Sequence, residues 1–150
     1  MRGTLGLDAG ARVDLDDICD ALGIAVWEAN LPTGLSGMIV KEEGRDAEIF
    51  VAERDPQARQ RFTIAHELGH FIERTAVAQD AEFSFRDDRS TKYTLHEFFA
   101  DEFAGALLMP NPGFERDAAT MGNIALATKY GVSPAAVEKR RQRLAKNPEV

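Results

Sequence analysis

His66-Glu67-Leu68-Gly69-His70 is the stretch on which the reading of this 150-residue chain turns. It has the form H-E-x-x-H and sits inside helical periodicity, with Phe62, Ala65, Leu68, Gly69 and Ile72 recurring at intervals of three and four. Four residues is just over one α-helical turn, so the two imidazoles leave the same face, one above the other. Two neutral imidazole nitrogens at that spacing can hold one Zn2+. The glutamate between them, about a quarter-turn away, can reach a water on that metal and act as its general base. Histidine and glutamate are also ordinary on helix surfaces, so the flanking sequence has to supply the helix and a third ligand.

The helix is well announced. Asp55-Pro56 reads as an N-cap followed by proline at the first helical position, and the apolar stripe runs to about Arg74. Upstream, Asp14 to Leu22 carries Leu15, Ile18, Cys19 and Leu22 at helical spacing and ends at Gly23. Ile24–Glu28, Ser36–Lys41 and Ala47–Ala52 read as strands, the last two joined through the polar turn 42–46. The Asp-rich stretch from Ala78 to Thr91 lacks strong periodicity and reads as a loop. A second helix spans Leu95–Met109 and stops at Pro110. Beyond Asn111-Pro-Gly113 lies a helical tail. Within it Ile124–Tyr130, the turn Gly131-Val-Ser-Pro134 and Ala135–Leu144 have helix-turn-helix spacing.

Composition narrows the class. Hydrophobic residues make up 44% and charged residues 29%, which suits a folded domain rather than a disordered chain. The single cysteine, Cys19, rules out an intrachain disulfide and reads as a core residue, not a nucleophile. No apolar run reaches the length of a membrane span and no signal-type h-region opens the chain, so a cytoplasmic protein without a membrane partner is expected. The net charge of −7 argues against a general nucleic-acid coat. The tail is nonetheless basic: Lys129, Lys139, Arg140, Arg141, Arg143 and Lys146 face one acid, Glu138.

A zinc peptidase needs three protein ligands and an open position. Glu97 and Asp101 lie one turn apart on the second helix and share a face with Ala100 and Ala104. Small residues there, with Gly69 opposite, let the two helices approach closely. Glu97 reaching across that interface would complete a His2Glu site, with Asp101 as the acceptor from a ligating imidazole; a solvated carboxylate at a helix start is the other reading of Glu97. Glu102 and Asp87 compete for these roles. The remaining histidine, His96, points about 100° away from its neighbour Glu97. His96 and Tyr93 are candidate donors to a transition-state oxyanion, although a surface histidine is the simpler reading of His96.

The residues Arg59-Gln-Arg-Phe-Thr-Ile-Ala-His-Glu-Leu-Gly-His70, followed by Glu97-x-x-Ala100-Asp101-x-Phe103-Ala104-x-x-Leu107-Leu108-Met109-Pro110, resemble the ImmA/IrrE family of metallopeptidases. A looser similarity covers most of the chain, including Gly34-Leu-Ser-Gly37 and Tyr130-Gly-Val-Ser133. The resemblance implies His66, His70 and Glu97 as metal ligands, Glu67 as general base, and one Zn2+ per chain, with Mn2+ as the alternative ion. It implies an endopeptidase that cuts a helix-turn-helix repressor and so releases mobile-element or stress-response genes. Asp101 stands where the family has asparagine, which keeps an acceptor and adds charge. Phe99 stands where many relatives carry a further glutamate.

The expected fold is therefore α+β: a small three-stranded antiparallel sheet on a zincin-type helical core, residues 1–112, with a helix-turn-helix-like segment, 113–150, packed against it. The rival reading makes the tail the working part. Its basic helix would contact DNA, or the chain would be a toxin–antitoxin component, with the metal site structural or vestigial. DNA contact by the tail is the less favoured of the two.

Overall fold

The structure, a computed structural model, describes residues 12–88 and 93–149. Helix α1 (Leu15–Leu22) begins at Asp14, whose side chain accepts from the Asp17 amide at 3.1 Å, and ends at Gly23 with φ +73°. That left-handed conformation is the reason for glycine at the stop. The chain then runs through β1 (Ala25–Ala29), β2 (Leu35–Lys41) and β3 (Glu48–Ala52) into α2 (Gln57–Ile72), which continues in one π-helical turn (Glu73–Val77). Strand β4 (Phe83–Asp88) precedes α3 (Leu95–Leu108). The tail forms α4 (Gly113–Ala118), α5 (Asn123–Tyr130) and α6 (Pro134–Lys146).

Three expectations are corrected. The sheet is four-stranded and mixed, in the order β1-β3-β2-β4, not three-stranded and antiparallel. β2 and β3 form the expected antiparallel hairpin, with Ile39 opposite Ile49. β1, however, pairs with β3 in parallel, Trp27 opposite Phe50. Alternating apolar residues mark a strand but carry no direction, and the loop after β1 turns back one strand position away, leaving the gap that β3 fills parallel to β1. The second correction is β4, which lies within the stretch expected as a loop. Phe83 and Phe85 alternate with polar residues, a two-residue period masked by the surrounding aspartates. The third is the start of α2. Pro56, not Asp55, occupies the cap position and offers no side-chain bond.

Helix α2 is the centre of the molecule. From Ala65 to His70 every residue is buried, because the sheet covers one side and α3 the other. Two glycines set those distances. A Cβ on Gly37 of β2 would lie 2.3 Å from Thr63 Cγ2, and one on Gly69 would lie 2.8 Å from Ala100 Cα. Neither distance is compatible with a methyl group, so glycine is required at both contacts. The core joins both layers to the tail: Leu15, Ile39, Ile49, Leu68, Leu108, Phe114, Leu126, Val137 and Leu144 belong to one buried cluster.

The tail has the expected helix-turn-helix pair. Ser133 caps α6, accepting from the Ala136 amide at 3.1 Å, with Pro134 in the first turn. Its arginines face inward to protein. Arg140 is buried and donates to the Met109 carbonyl at 3.2 Å. Arg141 donates to Asn123 Oδ1 and to the Ala118 and Met121 carbonyls. Arg143 pairs with Glu102 of α3. From α2, Arg61 donates to the carbonyls of Gly131 and Val13, tying the turn of the pair to the central helix. Among the described residues no helix is long and apolar enough to cross a membrane.

Candidate metal centre

The α2–α3 contact brings three sequence-predicted residues to one point. His66 and His70 rise from α2 one turn apart, as their spacing requires. Glu97 stands in the first turn of α3, where the Thr94 cap receives its amide at 3.3 Å. Because Gly69 lets the Ala100 backbone approach, the Glu97 carboxylate reaches both rings: Oε1 is 3.0 Å from His66 Nε2 and Oε2 is 3.2 Å from His70 Nε2. One ligand atom from each of the three residues falls within 4.8 Å of the others.

These residues fit a tetrahedral cation. Metal–nitrogen and metal–oxygen bonds of about 2.0–2.2 Å place neighbouring ligand atoms roughly 3.3–3.5 Å apart, close to the spacings seen here. Two imidazoles and one carboxylate are a donor set that Zn2+ accepts. The Nδ1 atom of buried His70 has no hydrogen-bond partner among the described residues. Its ring is clamped against Phe85 of β4, with centroids 4.0 Å apart and planes nearly parallel.

The surrounding polar groups orient the site. His66 Nδ1 is 2.8 Å from Asp101 Oδ1, one turn along α3 from Glu97. The ring donates to this carboxylate from Nδ1, which turns Nε2 toward Glu97. Asp101 Oδ2 accepts from the Tyr93 hydroxyl at 2.8 Å. Burial would raise the Glu97 pKa, but hydrogen bonding to His66 and the nearness of His70 outweigh it and hold the carboxyl down at about 2. Burial also opposes ionisation of Asp101. The bond from His66, then its charge and the Tyr93 hydroxyl, reverse the balance and lower its pKa. Two ionised carboxylates beside two imidazoles make an anionic seat for a cation.

Glu67 is fully buried between α2 and the sheet, with Oε2 3.6 Å from the position a Cβ on Gly37 would take. The other candidates separate. Glu102 turns away to Arg143 and does not join the triad; Asp87 belongs to strand β4. His96 faces Glu73, with Nδ1 3.0 Å from Oε1, and its ring packs edge-on against Phe85. Tyr93 reaches the site through Asp101; burial first, and then the bond to that carboxylate, push its pKa up. Sequence reasoning missed Phe85, whose signal was the Phe83–Phe85 alternation.

Residues 19–141 match the model of a peptidase family, Peptidase_M78, described as the IrrE N-terminal-like domain. No curated protein matches the chain. A solved structure described as a Mycobacterium tuberculosis transcriptional regulator is similar in fold, with a TM-score of 0.61 and 22% identity. The similarity covers 90% of this chain and 41% of that one, so this chain spans less than half the regulator's length.

Proposed function

The chain belongs to the IrrE N-terminal-like (ImmA/IrrE) family of metallopeptidases, and from that premise we propose that it is a zinc-dependent endopeptidase cutting a helix-turn-helix transcriptional repressor. The observation that carries the reading is the convergence of His66, His70 and Glu97 beside the buried carboxylate of Glu67. The repressor part rests on the family resemblance, and a regulator as structural neighbour is compatible with it.

In this proposal His66, His70 and Glu97 hold one divalent cation, Zn2+ by the chemistry of the donors, with Mn2+ as the alternative. When bound, the ion supplies Lewis acidity toward the scissile carbonyl and eases ionisation of water. Glu67 takes the proton from the attacking water and delivers it to the leaving amine. Its burial keeps that proton from bulk solvent, and Gly37 leaves the carboxylate room to move. Asp101 holds His66 in the tautomer that presents Nε2, and Tyr93 holds Asp101. Either Tyr93 or His96 serves as the oxyanion donor; Tyr93 reaches the triad through Asp101. Strand β4 is an edge of the sheet and carries Phe85 against His70, so an extended substrate added to that edge would pass the triad. The division into a peptidase unit, 1–112, and a tail, 113–150, is part of the same proposal. It is supported by the Arg140–Met109 and Arg143–Glu102 contacts that seat the tail.

The test is elemental analysis of purified protein beside His66→Ala and Glu97→Ala, followed by incubation with helix-turn-helix repressors encoded near the gene. About one zinc per chain, lost in both variants, with a repressor cleaved at one bond, is the expected result. Absence of zinc uptake by the unaltered chain refutes the reading. The DNA-binding alternative loses support because Arg140, Arg141 and Arg143 are engaged within the protein.

A further inference from the structure

A cavity of about 360 Å3 opens where α2, α3 and α6 meet. It meets the metal triad through Asp101 and is not lined by His66, His70 or Glu97 themselves. Asp101, which holds His66, lines it, and so does Thr63, which lies against Gly37 one turn before Glu67. Its lining combines two chemistries. Phe62 supplies apolar surface over the buried Met109, while Arg59 from α2 and Lys139 from α6 supply positive charge. Arg143 also lines it but is paired with Glu102. Arg59 and Lys139 are exposed, and neither forms an ion pair among the described residues. Lys139 acts electrostatically on Asp101, and on a chain of net charge −7 Arg59 and Lys139 together still give the cavity a locally positive edge that favours an anion.

We propose that this cavity is a specificity pocket that takes the side chain of an acidic residue, glutamate above aspartate, in the polypeptide substrate. The methylenes of a glutamate can lie on Phe62 while its carboxylate meets Arg59 and Lys139. A neutral or basic side chain leaves those cations unmatched. Because α6 contributes one wall, the tail completes the substrate site, and its arginines serve to seat that wall. The inference rests on the peptidase reading, since the pocket gains its meaning from the triad beside it.

Two fluorescein-labelled heptapeptides of alanine and leucine, differing only in a central glutamate or glutamine, provide the probe. Their binding to zinc-loaded Glu67→Gln protein is read by fluorescence anisotropy. The glutamate peptide is expected to bind roughly tenfold more tightly, as for one charge-assisted contact. That preference falls to near unity in Arg59→Ala/Lys139→Ala, while the glutamine peptide binds as before. Lys139→Glu lowers the preference further and improves a lysine-centred peptide. Equal binding of the two peptides, a preference that survives the double variant, or no binding of either peptide overturns the pocket. Zinc titration of the same samples separates the two claims. Zinc uptake without glutamate preference removes the pocket and leaves the peptidase reading. Glutamate preference without zinc uptake removes the peptidase reading and keeps an acidic-peptide site. Both altered side chains are exposed, and an unchanged circular dichroism melt identifies variants that remain folded.

Discussion

The α2–α3 seam and the α5–α6 tail both bring charged side chains to a helix interface, and they use them in opposite ways. At the seam, Glu97 and Asp101 hold imidazoles through side-chain contacts that leave two nitrogens and a carboxylate turned to a common point. In the tail, Arg140 spends its donors on the Met109 carbonyl and the Glu149 carboxylate, and Arg141 on the Ala118 and Met121 carbonyls and the Asn123 side chain. The first arrangement keeps chemical potential available; the second consumes it to fix a fold. A charged motif is therefore a site only where its neighbours orient it without satisfying it.

Substitutions can break this contrast at either end. The largest effect is expected at Glu67. Glu67→Gln keeps the zinc content and lowers the cleavage rate by roughly 100- to 10,000-fold, the range for a lost general base. Retained cleavage would remove Glu67 from the mechanism. Next is Asp101. Asp101→Ala weakens zinc affinity by roughly 10- to 100-fold in competition with a chelator. Asp101→Asn, which keeps an acceptor for His66 Nδ1, costs much less. Equal losses in the two variants would mean that charge, not orientation, is what Asp101 supplies.

The packing that permits the seam is tested by two glycines. Gly69→Ala drives a methyl group against the Ala100 backbone and should lower stability by about 3 kcal/mol in urea titration, with weaker zinc binding. Gly105→Ala in α3 meets only Arg140 Cδ at 3.7 Å and should stabilise by about 0.5–1 kcal/mol through helix propensity. A neutral Gly69→Ala would show that the helices can separate without cost. In the tail, Arg141→Ala should cost about 1–3 kcal/mol and leave affinity for duplex DNA unchanged. A fall in salt-dependent DNA binding with stability intact would restore the rival reading.

The smallest effect concerns Cys19. Burial first, then Asp16 and Asp20, push its thiol pKa from 9.0 up to about 12. A folded-state pKa raised in this way favours the protonated native form. The stability it confers is complete below 9.0 and declines as pH rises toward about 12. The loss amounts to less than about 1 kcal/mol by about pH 9.5. Native protein should react with a disulfide reagent far more slowly than protein in urea. Equal rates would show that α1 opens readily.

Much of the site was legible because its geometry is local. Gly23 and Ser133 announce their helix ends by chemistry confined to a few residues. Gly69 and Ala100 pointed correctly to a close crossing. Pairing direction and the fourth strand were not legible. β1 and β3 are joined by bonds between residues 23 apart in sequence, and Phe83-Ser-Phe85 offers only two apolar positions within an acidic stretch.

The sequence by itself determined that His66, Glu67 and His70 share one helix, since the backbone hydrogen-bond ring fixes where residues one turn apart project. Only the tertiary structure decided what those side chains meet: Glu97 and Asp101 at the triad, Glu102 turned to Arg143, and the basic tail folded inward. The reason is the range of the interaction. A helix dictates its own spacing within a few residues. The partner across an interface depends on how distant segments close around a shared core.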